Sequence, residues 1–196
     1  MARLATPDDT HQAADILARA FAADPVLARF VVPGPDRISR STRYFALECR
    51  LTLSGYGEIW LDEDGAGAAI WRKPGGYPEP LRAQLRLLPQ YLRLFPRELL
   101  TASRAMNVMA KAHPKEPHWY LMAVGIVPEF QGQGRGRALL QPVLSRCDEN
   151  GVPAYLEAST AENARLYERL GFESREELEI LPGLRVRPMW REPRAG

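Results

Sequence analysis

Apolar residues recur with two different periods along this chain. After a short extended start, Arg3-Leu4-Ala5, the polar cluster Thr6-Pro7-Asp8-Asp9 opens a helix in which Ala13, Ile16, Leu17, Ala20 and Phe21 fall on one face, ending near Asp24-Pro25. A second helical stretch is expected from about Asp36 to Ser54. Glu58 to Leu61 and Ala68 to Trp71 then read as two strands of a hairpin around Asp64-Gly65, closed by Pro74-Gly75-Gly76. Between 78 and 112 the pattern is helical and leucine-rich. Leu81, Leu85, Leu88 and Leu92 form one stripe and Arg82, Arg86, Arg93 and Arg97 an adjacent one, with Pro89 and Pro96 expected to kink or divide it. That stretch reads either as a packing helix with solvated arginines or as a basic, apolar-backed lid or partner surface.

From Trp119 the pattern becomes that of a β-α-β unit: strand Trp119 to Val127, a glycine-rich turn, a helix to about Asn150 stopped by Gly151, and strand Pro153 to Ala158. Ser159 with Glu162 reads as a capping box for a further helix ending at Gly171. Phe172 to Ile180 and Arg185 to Trp190 close the chain as two strands around Pro182-Gly183.

At 196 residues the chain is expected to form one domain, 1–196, since about 150 residues per domain is usual. With 45% apolar and 26% charged residues, neither disorder nor a fibrous repeat is indicated. The 26 basic residues nearly balance the 24 acidic ones, giving +2, so no nucleic-acid partner is expected. Cys49 and Cys147 fit no disulfide framework or paired-thiol motif, which points to a reducing cytoplasm. Asp8 and Asp9 interrupt any signal peptide, and the apolar run Trp119 to Val127 is too short to span a bilayer as a helix, so no membrane association is expected. His11, His113 and His118 are not at helical ligand spacing, and Pro114 and Pro117 break the last interval; no metal is assigned.

The turn Gln131-Gly132-Gln133-Gly134-Arg135-Gly136-Arg137 sits between a strand and a helix. Glycines there let backbone N–H groups converge, and the helix start adds partial positive charge, so a pyrophosphate could rest on it with Arg135 and Arg137 adding charge. A P-loop would need Gly-Lys-Ser/Thr, and a dinucleotide fingerprint would need glycine at Arg137; both patterns fail. The alternative is a turn that binds nothing.

Gln131, Gly134 and Gly136 resemble the Gln/Arg-x-x-Gly-x-Gly/Ala pattern of the GNAT acetyltransferases. The block from Asn163 to Phe172, with Tyr167 opening a Tyr-Glu-x-x-Gly-Phe ending, is similar to the same family's later motif. Within that family, Lys115-Glu116-Pro117, Trp119, Gly151-Val152-Pro153-Ala154 and Tyr167 to Phe172 resemble the puromycin N-acetyltransferases, whereas 25 to 112 match poorly. The resemblance implies an α/β fold with a mixed, mostly antiparallel sheet flanked by helices and a splayed parallel strand pair at the cofactor cleft. It also implies acetyl-CoA as co-substrate. Its pantetheine arm would pair with the backbone of Val124, Gly125 and Ile126, and Tyr167 would be the general acid toward the leaving thiolate. Where the family often has a cofactor-contacting asparagine this chain has Thr160. Asn163 is the expected substitute, and Thr160 could instead start the helix.

An attacking amine must lose a proton. Glu157, a carboxylate in the otherwise apolar strand Tyr155-Leu156-Glu157-Ala158, is the first candidate base, with a plain salt bridge as the alternative; His118 and Glu116 follow. Tyr44, Trp60, Trp71, Trp119 and Tyr120 are candidate walls for the acceptor, or simply core. The expected reaction is acetylation of a primary amine, on a small molecule such as an antibiotic, aminonucleoside or metabolite. A peptide or protein amine, or an inactive acetyl-CoA-binding module, is the alternative. The oligomeric state is open, a homodimer included.

Overall fold

The structure, a computed structural model, describes residues 1–30, 35–96 and 98–194. Its sheet runs β1 (Ala2–Leu4), β2 (Gly57–Asp62), β3 (Gly67–Arg72), β4 (Trp119–Ile126), β5 (Ala154–Ala158), β8 (Leu184–Arg191) and β6 (Glu173–Ser174), with β7 (Leu178–Leu181) also on β8. Every neighbouring pair is antiparallel except β4 with β5. This is the mixed, mostly antiparallel sheet expected.

Helices α1 (Thr10–Ala20) and α3 (Arg37–Leu51) cover one face, and α6 (Arg135–Asn150) with α7 (Ala161–Arg169) covers the other. β3 is buried along its whole length because it lies under both layers. Ala68 and Ile70 join the core beneath α1 and α3, while Ala69 and Trp71 join the one beneath α6, as the period of two requires. β4 breaks that period. Its pairing with β3 steps from Ala123 opposite Ile70 to Leu121 opposite Trp71, leaving Met122 as an extra residue. The bulge turns Val124 and Ile126 toward the α6 core, and Met122 and Ala123 toward the α1 core.

Gly125 fixes how closely α1 lies on β4: a Cβ there would come 2.5 Å from the Cβ of Ala20 and 3.3 Å from the Phe21 ring. A buried ionic network ties the surrounding elements together. The Arg72 guanidinium reaches Glu48 of α3 at 2.7 Å and Glu79 at 3.1 Å, and donates to Thr52; the Tyr91 hydroxyl donates to Glu48 at 2.5 Å. Tyr91 belongs to α4 (Leu81–Leu94), so the network joins α3, β3, the loop to Glu79 and α4.

Several sequence expectations need correction. Helix α1 ends at Ala20, ahead of the expected stop at Asp24-Pro25, and Asp24-Pro25 is a start: Asp24 accepts from the N–H of Leu27 at 2.8 Å and Pro25 opens α2 (Pro25–Phe30), a helix not anticipated. Helix α7 is capped by Thr160, whose hydroxyl accepts from the Asn163 N–H at 3.1 Å, whereas the Ser159 hydroxyl donates to Asp24 at 2.6 Å. The strand expected over Phe172 to Ile180 is two strands, β6 and β7, on either side of 175–177. Pro188, which has no N–H to donate, stands on β8 and accepts from the Arg175 N–H at 2.8 Å. The 78–112 region is α4 and α5 (Leu99–Ala112), with Pro96 between them and Pro89 inside α4; Arg97 lies outside the described residues. On α4, Leu87, Tyr91 and Leu94 pack inward, and the Leu81, Leu85, Leu88, Leu92 stripe faces outward.

Gly125→Ala forces α1 away from β4. It should destabilise the protein by about 1–3 kcal/mol in denaturant unfolding, as overpacking does; an unchanged unfolding midpoint would contradict this close approach.

Candidate active site

The site begins where two strands part. β5 pairs with β4 at only three positions, Trp119 with Ala154, Tyr120 with Tyr155 and Leu121 with Leu156. β4 stays on β3 as far as Ile126, and β5 stays on β8 as far as Ala158. Val124, Gly125 and Ile126 therefore border a widening gap, and their backbone on that side has no strand to pair with. The Gln131 side chain donates to the Ile126 carbonyl at 3.0 Å, anchoring the turn to the strand end.

Gly132 and Gly134 take φ values of 76° and 74°, in the left-handed region glycine favours, and Gly134 is the N-cap of α6. No side chain caps this helix and no acidic residue lies in its first turn, so the N–H groups that begin it are left for an outside acceptor. Gly136 follows in the first turn, and a Cβ on it would make only ordinary contacts of 3.9 Å with Ile126 and Leu166. The Arg135 guanidinium is held by Asp62 and by Asp64 at 2.9 Å and lies over the Phe130 ring, with the Gln133 side chain accepting from it at 3.3 Å. What Arg135 offers the turn is its backbone. Arg137 is exposed and makes no ion pair among the described residues.

Tyr167 comes from α7, where its ring packs in the α6 core and edge-on to Phe172 at 6.0 Å. Its hydroxyl has no hydrogen-bond partner among the described residues. Burial, and then the charge of Asp24, push its pKa well above the usual tyrosine value, so it keeps its proton at neutral pH. Asn163 stands one turn earlier, its amide 3.4 Å from the Ser159 hydroxyl.

The opposite side of the gap holds Glu157. Register places Tyr120, Tyr155 and Trp190 in a row across β4, β5 and β8, and Glu157 lies two residues beyond Tyr155 on the same face. Its side chain is only 5% exposed, and its Oε1 has no hydrogen-bond partner. His113 Nδ1 stands 3.8 Å from that oxygen, and His113 Nε2 is 3.0 Å from Nε2 of His118. Tyr77, Tyr120 and Tyr155 surround the His113 ring at 4.6 to 4.9 Å. A cavity of about 120 Å³ opens beside them, bordered by Tyr77, His118 and Tyr120 and by Lys73, Lys115 and Glu116.

Of the aromatic walls named from sequence, only Tyr120 is here. Trp71 is core, Trp60 and Trp119 pack toward α6 with Arg146 over Trp119, and Tyr44 packs on Phe45 and Phe95. His113, Tyr77 and Tyr155 were missed. The usable signal was Pro114 and Pro117, which rule out a helical pair of histidines and at the same time turn the chain so that His113 folds back on His118.

Residues 95–172 match the family model described as the acetyltransferase (GNAT) family. That segment carries β4, the turn, α6, β5 and α7 together. The structure superposes over its full length on a crystal structure of histone acetyltransferase HPA2 and related acetyltransferase from Corynebacterium glutamicum, with 29% identity, 97% of that chain covered and a TM-score of 0.76. The fold is that of the GNAT acetyltransferases. Polyamine N acetyltransferase of Drosophila melanogaster shares the GNAT fold at 18% identity, with 98% and 99% of the two chains covered and a TM-score of 0.62. An uncharacterised N-acetyltransferase of Schizosaccharomyces pombe is 32% identical over 118 residues, which are 56% of this chain and 48% of that protein. The chain thus spans about half the length of the curated relative it matches. The finer likeness to the puromycin enzymes is not among what these comparisons show. No helix of the described residues is long and apolar enough to cross a membrane, and none of them form a cluster of three metal-ligating side chains.

Neither cysteine can serve this site as a nucleophile. Cys49 and Cys147 are fully buried, and burial pushes each thiol up to about 12. Native protein at pH 8 should leave both thiols unmodified by a disulfide reagent, and denaturant should release two; labelling of the native state at the denatured rate would contradict this burial.

Proposed function

We propose that this chain transfers an acetyl group from acetyl-CoA to a primary amine of a small molecule. The observation that carries the reading is the parting of β4 from β5, with an uncapped helix start at one end of the gap and an unionised tyrosine and a buried carboxylate on its two sides. Acetyl-CoA would supply an activated acetyl thioester. The turn fits its pyrophosphate because Gly132 to Arg137 present free backbone N–H groups at a positive helix end, with the Arg137 guanidinium free to add charge. The free edge of Val124, Gly125 and Ile126 suits the amide groups of the pantetheine arm, and Asn163 can reach the same side.

In this reading Tyr167 donates its proton to the departing thiolate, a task for which a raised pKa keeps it loaded. A backbone N–H on β4, that of Ile126, polarises the thioester carbonyl. Glu157 receives the proton the amine gives up. The Drosophila neighbour's name records formation of N-acetylagmatine, a small-amine reaction, and at 18% identity that likeness carries the fold and not the substrate. The two buried thiols fit a reducing compartment such as the cytoplasm. A second reading, acetylation of a peptide or protein amine, is favoured by the histone acetyltransferase name of the Corynebacterium relative.

The test is binding and turnover in paired variants. Wild type should bind acetyl-CoA in calorimetry, and Gly136→Val, which the fold accommodates, should weaken it about tenfold or more. Tyr167→Phe should bind it as wild type does yet lower kcat by about 10²- to 10⁴-fold, the range of general acid–base catalysis. Unchanged affinity in Gly136→Val, or full activity in Tyr167→Phe, would remove the corresponding role.

A further inference from the structure

His113 follows the end of α5 and stands where the 114–117 turn, β4 and β5 converge. The tautomers of its surroundings follow from their partners. His118 Nδ1 lies 2.6 Å from the carbonyl oxygen of Glu116, too close for two lone pairs, so that nitrogen carries a hydrogen and donates. Burial lowers the His118 pKa and keeps the ring neutral, which leaves its Nε2 bare. That bare nitrogen accepts from His113 Nε2–H across 3.0 Å. A neutral His113 is then bare at Nδ1, and Nδ1 faces Glu157 Oε1 at 3.8 Å.

Two acceptors thus meet with no proton between them. His113 and Glu157 have side chains only 7% and 5% exposed, and Oε1 is unpartnered. A buried carboxylate left so is costly unless something donates to it. A nitrogen about 2.9 Å from each, an ordinary hydrogen-bond length, spans such a separation, and the tyrosine rings around it suit a cation.

We propose that Glu157 Oε1 and His113 Nδ1 form a two-point receiver for the acceptor's ammonium group, and that His113 is a second catalytic base beside Glu157. The inference rests on the acetyl-transfer reading above. An alkylammonium donates one N–H to each acceptor. His113 takes the first proton and becomes an imidazolium beside the Glu157 carboxylate, freeing the nitrogen lone pair to attack the thioester carbon. As the C–N bond forms and the C–S bond breaks, Glu157 takes the nitrogen's second proton and Tyr167 gives its own to sulfur. One of the two captured protons returns to Tyr167 and the other leaves to water. His118 is a positioning residue: it holds the tautomer that keeps Nδ1 open.

The charges around His113 come from every neighbouring element. Glu157 stands on β5, His118 and Glu116 before β4, and the neutral hydroxyls of Tyr77, Tyr120 and Tyr155 on the loop after β3, β4 and β5. Burial, and then the Glu157 charge, raise all three tyrosine pKa values, so none competes for the proton. Arg72 with Glu48 and Glu79, Arg175, and the cavity's Lys73 and Lys115 lie farther out.

The test is ¹⁵N-histidine NMR on the full chain without acetyl-CoA, titrated with methylammonium and, as a cation lacking N–H, tetramethylammonium. At pH 7.5 His113 should show Nε2 protonated and Nδ1 bare, and methylammonium alone should shift Nδ1. His118→Gln, which keeps an acceptor for Nε2–H, should retain that response, and His118→Leu should lose it. In acetylation of methylamine, His113→Asn should lower kcat/KM about 10²-fold at pH 7, with the defect narrowing as pH rises and the free amine accumulates. Acetyl-CoA affinity should not change. A protonated Nδ1 in the free protein, an equal response to tetramethylammonium, no response to either cation, or a pH-independent defect would overturn the receiver. Loss of acetyl-CoA binding by wild type would instead overturn the acetyl-transfer reading and leave the NMR result standing by itself.

Discussion

Everything at this site depends on β4 being held on one edge and released on the other. β3 pairs with it as far as Ile126, while β5 leaves after three residues. A strand with one edge open in a protein interior leaves backbone donors and acceptors unsatisfied, and those groups must find a partner. The surroundings keep the open edge in place. Gly125 lets α1 settle directly onto the strand, the bulge at Met122 re-aims the residues beyond it, and Gln131 ties the strand end to the turn. β5 is drawn the other way by β8, which pairs with all five of its residues.

Charge is arranged to match. The start of α6 is left without a carboxylate, and the two acids that could have reached it, Asp62 and Asp64, are occupied by Arg135 at its side. Across the gap the opposite holds: Glu157 is buried with its Oε1 unpartnered, and Tyr167 is buried with its proton secured. One end of the cleft therefore lacks an anion and the other lacks a cation. That polarity suits a phosphate-bearing donor and an ammonium acceptor.

The sequence was most legible where local rules dominate. The strand from Trp119 and the end of the helix at Asn150 lie within a residue of where the sequence places them, because alternation and Gly151 as a stop act over a few residues; α6 starts at Arg135, inside the glycine turn, rather than at Ala138. The cap of α7 was misread by one residue because Ser159 and Thr160 both qualify, and a contact with Asp24, 135 positions away, decides between them. Helix α2 is not anticipated because Asp24-Pro25, which reads as the end of α1, instead opens the next helix. Glu157 stood out as a carboxylate in an apolar strand. Its partner did not, since nothing local links His113 to β5: the contact exists only once the 114–117 turn and the parallel pairing of β4 with β5 are both in place. The same holds for Tyr77, which the Arg72 network helps to position, and for the outward leucines of α4, whose periodicity does not reveal which face packs.

The central claim is that the open edge of β4 and the start of α6 are one binding surface for acetyl-CoA. Hydrogen–deuterium exchange with and without acetyl-CoA tests it most directly. Protection should rise in the segments covering Val124–Ile126 and Gly132–Arg137 together, with β1 and β2 unchanged; protection confined to other parts of the fold, or none at saturating ligand, would contradict it.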